Sequence, residues 1–75
     1  MTLREVLAEN LKRHRLATGL SQEELAHRAD IDRTYVSSLE RCQYSATVDM
    51  IEKLARVLGV EAAELLVVPS VASET

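Results

Sequence analysis

Residues 22 to 41 of this 75-residue chain read QEELAHRADIDRTYVSSLER, and the placing of apolar side chains in that stretch restricts the fold more than any other feature. Leu25, Ala26 and Ala29 share one face of a first short helix, and Val36 and Leu39 share one face of a second. Ile31 sits in the joint between them. Ala26 is the small residue over which two such helices can cross, because a larger side chain would hold the backbones apart. The stretch therefore predicts two short helices joined by a tight turn, a helix-turn-helix arrangement.

The flanking sequence supplies more helices. Thr2 and Glu5 have the spacing of a capping box, and Leu3, Val6, Leu7, Asn10, Leu11 and His14 trace an inward stripe, so helix 1 is predicted from Leu3 to Ala17, with Gly19 ending it. Ser21 and Glu24 repeat the box before helix 2, Gln22 to Ala29. Asp32 is the N-cap of helix 3, which runs to Arg41. Gln43 to Thr47 reads as a loop, with Thr47 capping helix 4 from Val48 to Leu58 and Gly59 stopping it. Its core stripe is Val48, Ile51, Leu54, Ala55 and Leu58. Helix 5 is predicted from Ala62 to Val67, before Pro69. The fold class is all-α, a compact five-helix bundle. Residues 1–69 form one domain and residues 70–75 a loose tail.

Composition agrees. The chain has two Tyr and neither Phe nor Trp, so its core must be built from Ala, Leu and Val, which favours packed helices over a sheet. No apolar run approaches a membrane span and no signal-peptide core is present, so no membrane association and a cytoplasmic location are expected. Cys42 is the single cysteine, so no intrachain disulfide can form. It reads as an inert small residue at a helix end or, less simply, as a regulatory thiol. His14 and His27 lack a ligand set around them, so no metal and no cofactor are expected. No nucleophile–base arrangement or Gly-rich phosphate loop is present, so catalysis is not expected either. The net charge of −3 weighs against nucleic acid, but its distribution does not. Through Tyr44, seven basic residues face seven acidic ones; beyond it, two bases face five acids. The acid excess lies in the last third, and binding depends on the local field of one face.

Helix 3 turns Val36, Leu39 and Glu40 inward and Thr34, Ser37, Ser38 and Arg41 outward, with Arg33 in its first turn. A small polar surface of this kind fits a DNA major groove. GLSQEELA from Gly19, IDRTYVSSLER and the MIEKLARVLGV segment ending at Val60 occur in order and at matching spacing. On these segments the chain resembles the lambda-repressor/Cro-like (XRE) family, and the resemblance covers about Leu7 to Leu66. DRTYVSSLER is most similar to the controller proteins of restriction–modification systems. The resemblance implies double-stranded DNA as partner, with Arg33, Thr34, Ser37 and Ser38 facing bases. The resemblance also implies a structural pair between Arg15 and Glu40. By position, Gln22 at the start of helix 2, Tyr35, Arg41 and Tyr44 in the following loop can reach phosphates, though Tyr35 also suits a half-buried packing role. Three positions depart from the family pattern: Asp30 and Cys42 stand where Gly is usual, and Ala46 where Pro is common.

Met50 and Val57 project beside the helix 4 stripe, and Leu65 and Leu66 add apolar surface, more than one small domain is expected to bury. These four residues are the expected homodimer interface. The function implied is a sequence-specific DNA-binding transcriptional regulator acting as a homodimer on an operator, with no small-molecule ligand. An antitoxin that captures a partner protein and binds its own operator is the alternative.

Overall fold

The computed structural model describes residues 1–69. Helix α1 spans Leu3–Thr18, α2 Gln22–Ala29, α3 Arg33–Glu40 and α4 Val48–Leu58, and a 3-10 helix covers Ala62–Leu66. There is no strand among the described residues, so the all-α class holds. The fifth element differs from expectation. It is a 3-10 helix, not an α-helix, and stops at Leu66 rather than Val67. The element is a single short run before the chain turns extended at Val67, and the tighter turn closes with Glu64 N–H donating to the Glu61 carbonyl at 2.9 Å. The tail at 70–75 lies outside the described residues.

Side-chain caps start the four α-helices. Thr2 Oγ1 accepts the Glu5 N–H at 3.2 Å and Glu5 Oε1 accepts the Thr2 N–H at 2.7 Å, which completes the box. The second expected box is only half made. Ser21 Oγ accepts the Glu24 N–H at 3.0 Å, but the Glu24 carboxylate is taken by Arg28 at 2.8 Å. Asp32 Oδ1 accepts the Thr34 N–H at 2.8 Å, and Thr47 Oγ1 accepts the Met50 N–H at 3.1 Å.

All four α-helices end alike. A left-handed residue follows the helix, and two N–H groups fold back onto the last carbonyls in the Schellman pattern. At α1 these are Gly19 to Leu16 and Leu20 to Arg15; at α3, Cys42 to Leu39 and Gln43 to Ser38. The left-handed residues are Gly19 (φ 78°), Asp30 (φ 61°), Cys42 (φ 60°) and Gly59 (φ 73°). Asp30 and Cys42 therefore keep the turn geometry that Gly would give, at the steric cost of a Cβ.

The core gathers Leu7, Leu11, Leu25, Ala26, Ala29, Val36, Leu39, Leu54, Ala55, Leu58 and Leu65. Helix α2 packs on α3 and α4, while α1 lies across α3, α4 and the 3-10 helix. Ala26 is almost fully buried. Two residues expected in inward stripes are not inside: Leu3 is 63% exposed and Val48 82%. Each is the first residue of its helix and overhangs the end of the bundle. Leu65 is a third correction, fully buried in its own domain and so unavailable to a partner chain. Met50, Val57 and Leu66 are half-buried and lean on the core.

Among the described residues, Asn10 is the one uncharged polar side chain in the interior, with no exposure. Its Nδ2 donates to the carbonyls of Leu65 at 2.9 Å and Val67 at 2.8 Å, and its Oδ1 accepts from Arg13 Nη2 at 2.8 Å. The amide thus satisfies carbonyls that the end of the 3-10 helix would leave bare, and its own polarity is met in return.

Candidate nucleic-acid interface

Helix α3 is positioned by its two fully buried side chains, Val36 and Leu39. At about 100° per residue, these fix one side of the helix inward and send Thr34, Ser37, Ser38 and Arg41 to the other. Arg33, Thr34 and Arg41 are exposed, and Ser37 and Ser38 half-buried. The outer strip is thus short hydroxyls with a cation at each end and no large apolar group. Neither Arg33 nor Arg41 pairs with an acid among the described residues. Asp32, just before the strip, spends its carboxylate on the helix start. The Thr34 N–H, helped by nearby Arg33, holds that carboxyl below the usual range, so it is ionised at neutral pH.

One flank of the strip is anchored by a buried charge. Arg15 Nε donates to Glu40 Oε2 at 2.7 Å and Arg15 Nη2 to Glu40 Oε1 at 3.1 Å, a bidentate pair whose side chains are 10% and 3% exposed. Arg15 Nη1 also donates to the Leu20 carbonyl at 2.9 Å. The guanidinium therefore joins α1, the link into α2, and the end of α3. Gln22, the first residue of α2, adds to this group. Its Nε2 donates to Glu40 Oε1 at 3.0 Å. Sequence reasoning paired Arg15 with Glu40 but missed this bond, since eighteen residues separate Gln22 from Glu40 and no spacing rule links them.

The other flank carries the aromatic residues. Tyr35 and Tyr44 meet edge to face, with ring centroids 5.3 Å apart and planes at 82°. The Tyr35 hydroxyl donates to the Ser45 carbonyl at 3.4 Å. Tyr35 is half-buried, whereas Tyr44 is 57% exposed. The packing and surface uses of Tyr35 are thus combined in one ring, and the loop after α3 is held against the helix it follows.

Gln22, Arg33, Thr34, Tyr35, Ser37, Ser38, Arg41 and Tyr44 accordingly lie on α3 or on segments bonded to it. A short helix with a polar outer strip, set on a second helix through a small-residue crossing, is the architecture of a DNA-reading module. Comparison with known proteins agrees. The helix-turn-helix family model matches residues 11–65, and the chain belongs to this family, of the XRE type. A hypothetical transcription factor of Neisseria meningitidis serogroup B is 49% identical over 67 residues, 89% of this chain and 63% of that protein, so the chain spans less than two thirds of that relative. The control protein C.SmaI of Serratia marcescens is 38% identical over 66 residues, 88% of this chain and 79% of its own length. Among solved structures, the Neisseria transcription factor NHTF superposes with a TM-score of 0.91 at 45% identity, covering 97% of this chain and 84% of that one. The restriction–modification controller protein C.AhdI from Aeromonas hydrophila gives 0.80 at 40% identity, covering 83% and 94%. The chain thus carries the DNA-binding domain of a helix-turn-helix transcriptional regulator. No described helix is long and apolar enough to cross a membrane.

Proposed function

We propose that the protein is a sequence-specific regulator that binds an operator as a homodimer, each α3 entering a major groove. The observation that carries this reading is the outer strip of α3, where Arg33, Thr34, Ser37 and Ser38 present a cation and hydroxyls of the kind that reads base edges. Gln22, Arg41 and Tyr44 stand at its borders, where phosphates would run.

The dimer surface we favour is not centred where the sequence suggested. Met50 and Val57 lie on one flank of α4 and are half-buried against the core. On the opposite flank Val48 stands almost free, and with Ile51, Ala62, Ala63 and Leu66 it lines an apolar groove between α4 and the 3-10 helix. Leu3 lies at the adjoining hollow, beside Ile51 and Leu66. A second copy placed here would cover most of the large exposed aliphatic side chains at this end of the bundle. Leu66 stays in the proposed interface and Leu65 leaves it.

Selection from a random duplex pool tests the reading. The enriched sequence should be an inverted repeat with half-site centres about 34 Å apart or a multiple of that. Enrichment of a single half-site, or none, would reject it. Similarity to C.SmaI and C.AhdI supports the narrower role of a restriction–modification control protein. Flanking methyltransferase and endonuclease genes would agree with it, whereas a neighbouring toxin gene would favour an antitoxin.

A further inference from the structure

We infer that Glu40 is a positioning residue for DNA backbone binding, acting through Gln22, in addition to pairing with Arg15. This rests on the DNA-binding reading above. The Glu40 carboxylate is buried, and its Oε1 is shared between Arg15 Nη2 at 3.1 Å and Gln22 Nε2 at 3.0 Å. A carboxamide left to itself rotates about its last bond and shows its oxygen or its NH₂ with similar ease. A phosphate oxygen accepts hydrogen bonds and is repelled by a carbonyl oxygen. An unrestrained Gln22 would therefore offer the wrong end part of the time.

Glu40 removes that ambiguity. A carboxylate oxygen can only accept, so the Gln22 amide must turn its NH₂ toward it. One N–H is then occupied, and the second is held at a fixed angle at the start of α2. The Arg15 guanidinium keeps the carboxylate from following Gln22 outward, because it grips both oxygens. The bidentate pair thus sets the orientation of a third side chain, eighteen residues before Glu40 in sequence. Glu40 touches no DNA in this scheme; Gln22 does.

A thermodynamic cycle between Gln22→Ala and Glu40→Gln tests the inference, read as affinity for a mixed-sequence duplex of about three helical turns at low salt. Gln22→Ala should weaken binding about three- to tenfold in the native background, the range of one hydrogen bond. In the Glu40→Gln background, whose neutral amide can offer Gln22 either group, the same change should cost less than about twofold. Thermal melting of each variant shows that it is folded. A second measurement needs no DNA: the Gln22 side-chain amide proton bonded to Glu40 should lie downfield of its free-amide position in the native protein and return toward that position in Glu40→Gln. Should Glu40→Gln fail to fold, Gln22→Glu replaces it, since a like charge beside Glu40 must turn outward, and binding should fall further than with Gln22→Ala. Equal costs of Gln22→Ala in both backgrounds, Gln22→Glu binding no worse than Gln22→Ala, or amide shifts indifferent to residue 40 would overturn the inference and leave the regulator reading intact. A native protein that binds no duplex would overturn both.

Discussion

The tightest local constraints fall on single residues with unusual backbone angles. Cys42 holds φ at 60° to close α3, a conformation that costs an L-residue about 1–2 kcal/mol, offset in part by the extra chain entropy that glycine would lose. Cys42→Gly should therefore raise thermal stability by a few tenths to about 1 kcal/mol, read as a small rise in Tm, and Asp30→Gly should act in the same direction. A fall in Tm for Cys42→Gly would mean that the half-buried thiol contributes more through packing than the strain removes. Asp32 supplies a pH dependence whose sign is fixed. Its carboxyl is lowered in the folded state by the Thr34 N–H, so its stabilising effect is present above the ordinary aspartate range, near pH 3.9. That effect fades as pH falls through the lowered folded value. Acid titrations of melting temperature should show a shallower loss in Asp32→Asn, which keeps the cap but cannot titrate. Identical acid limbs would remove Asp32 from the account.

Among the elements, α3 bears both core side chains and the strip proposed to read DNA, and its two sides respond differently to substitution. Arg33→Ala touches only the outer strip and should cost about 1–3 kcal/mol of specific binding while relaxing one base position. Affinities for the selected operator and a scrambled duplex check this, and equal losses on both would assign Arg33 to the phosphates. Glu40→Ala acts on the inner side. It leaves Arg15 nearly buried without its partner, so several kcal/mol of stability should be lost. An unchanged melting temperature would deny the pair any structural weight. The same division explains what could be read in advance. Periodicity located α1 to α4, because Leu7 and Leu11, Leu25 and Ala29, Val36 and Leu39, and Leu54 and Leu58 recur at helical spacing and every α-helix N-cap is a Ser, Thr or Asp in a recognisable place. Periodicity knows a residue's angle about the axis but not its height along it. Leu3 and Val48 have the right angle for the core but overhang it because their height is wrong. The Gln22–Glu40 bond and the Tyr35–Tyr44 contact were invisible for a related reason: each joins segments whose mutual placement depends on the whole packing.

At the scale of the whole molecule, the exposed side chain of Val48 stands on α4, a different helix from the one proposed to face DNA. Val48→Glu probes that position without harming the fold, since an acid in the first turn of a helix suits its dipole. The variant should be a folded monomer by light scattering. Its operator affinity should drop steeply, because each half-site loses the high effective concentration its linked partner provides. If Val48→Glu stays dimeric while Met50→Glu with Val57→Glu separates the copies, the opposite flank of α4 is the interface. The aromatic contact has a use of its own. Tyr35 and Tyr44 are the only aromatic residues of the FWY set in the chain, and both border the α3 strip. Ultraviolet emission from this protein therefore comes wholly from the side proposed to face DNA. Stacked bases and phosphates arriving there would quench it, while association through Val48 would leave it almost unchanged. Unlabelled protein thus carries an optical probe that separates occupancy of the operator from pairing of the subunits.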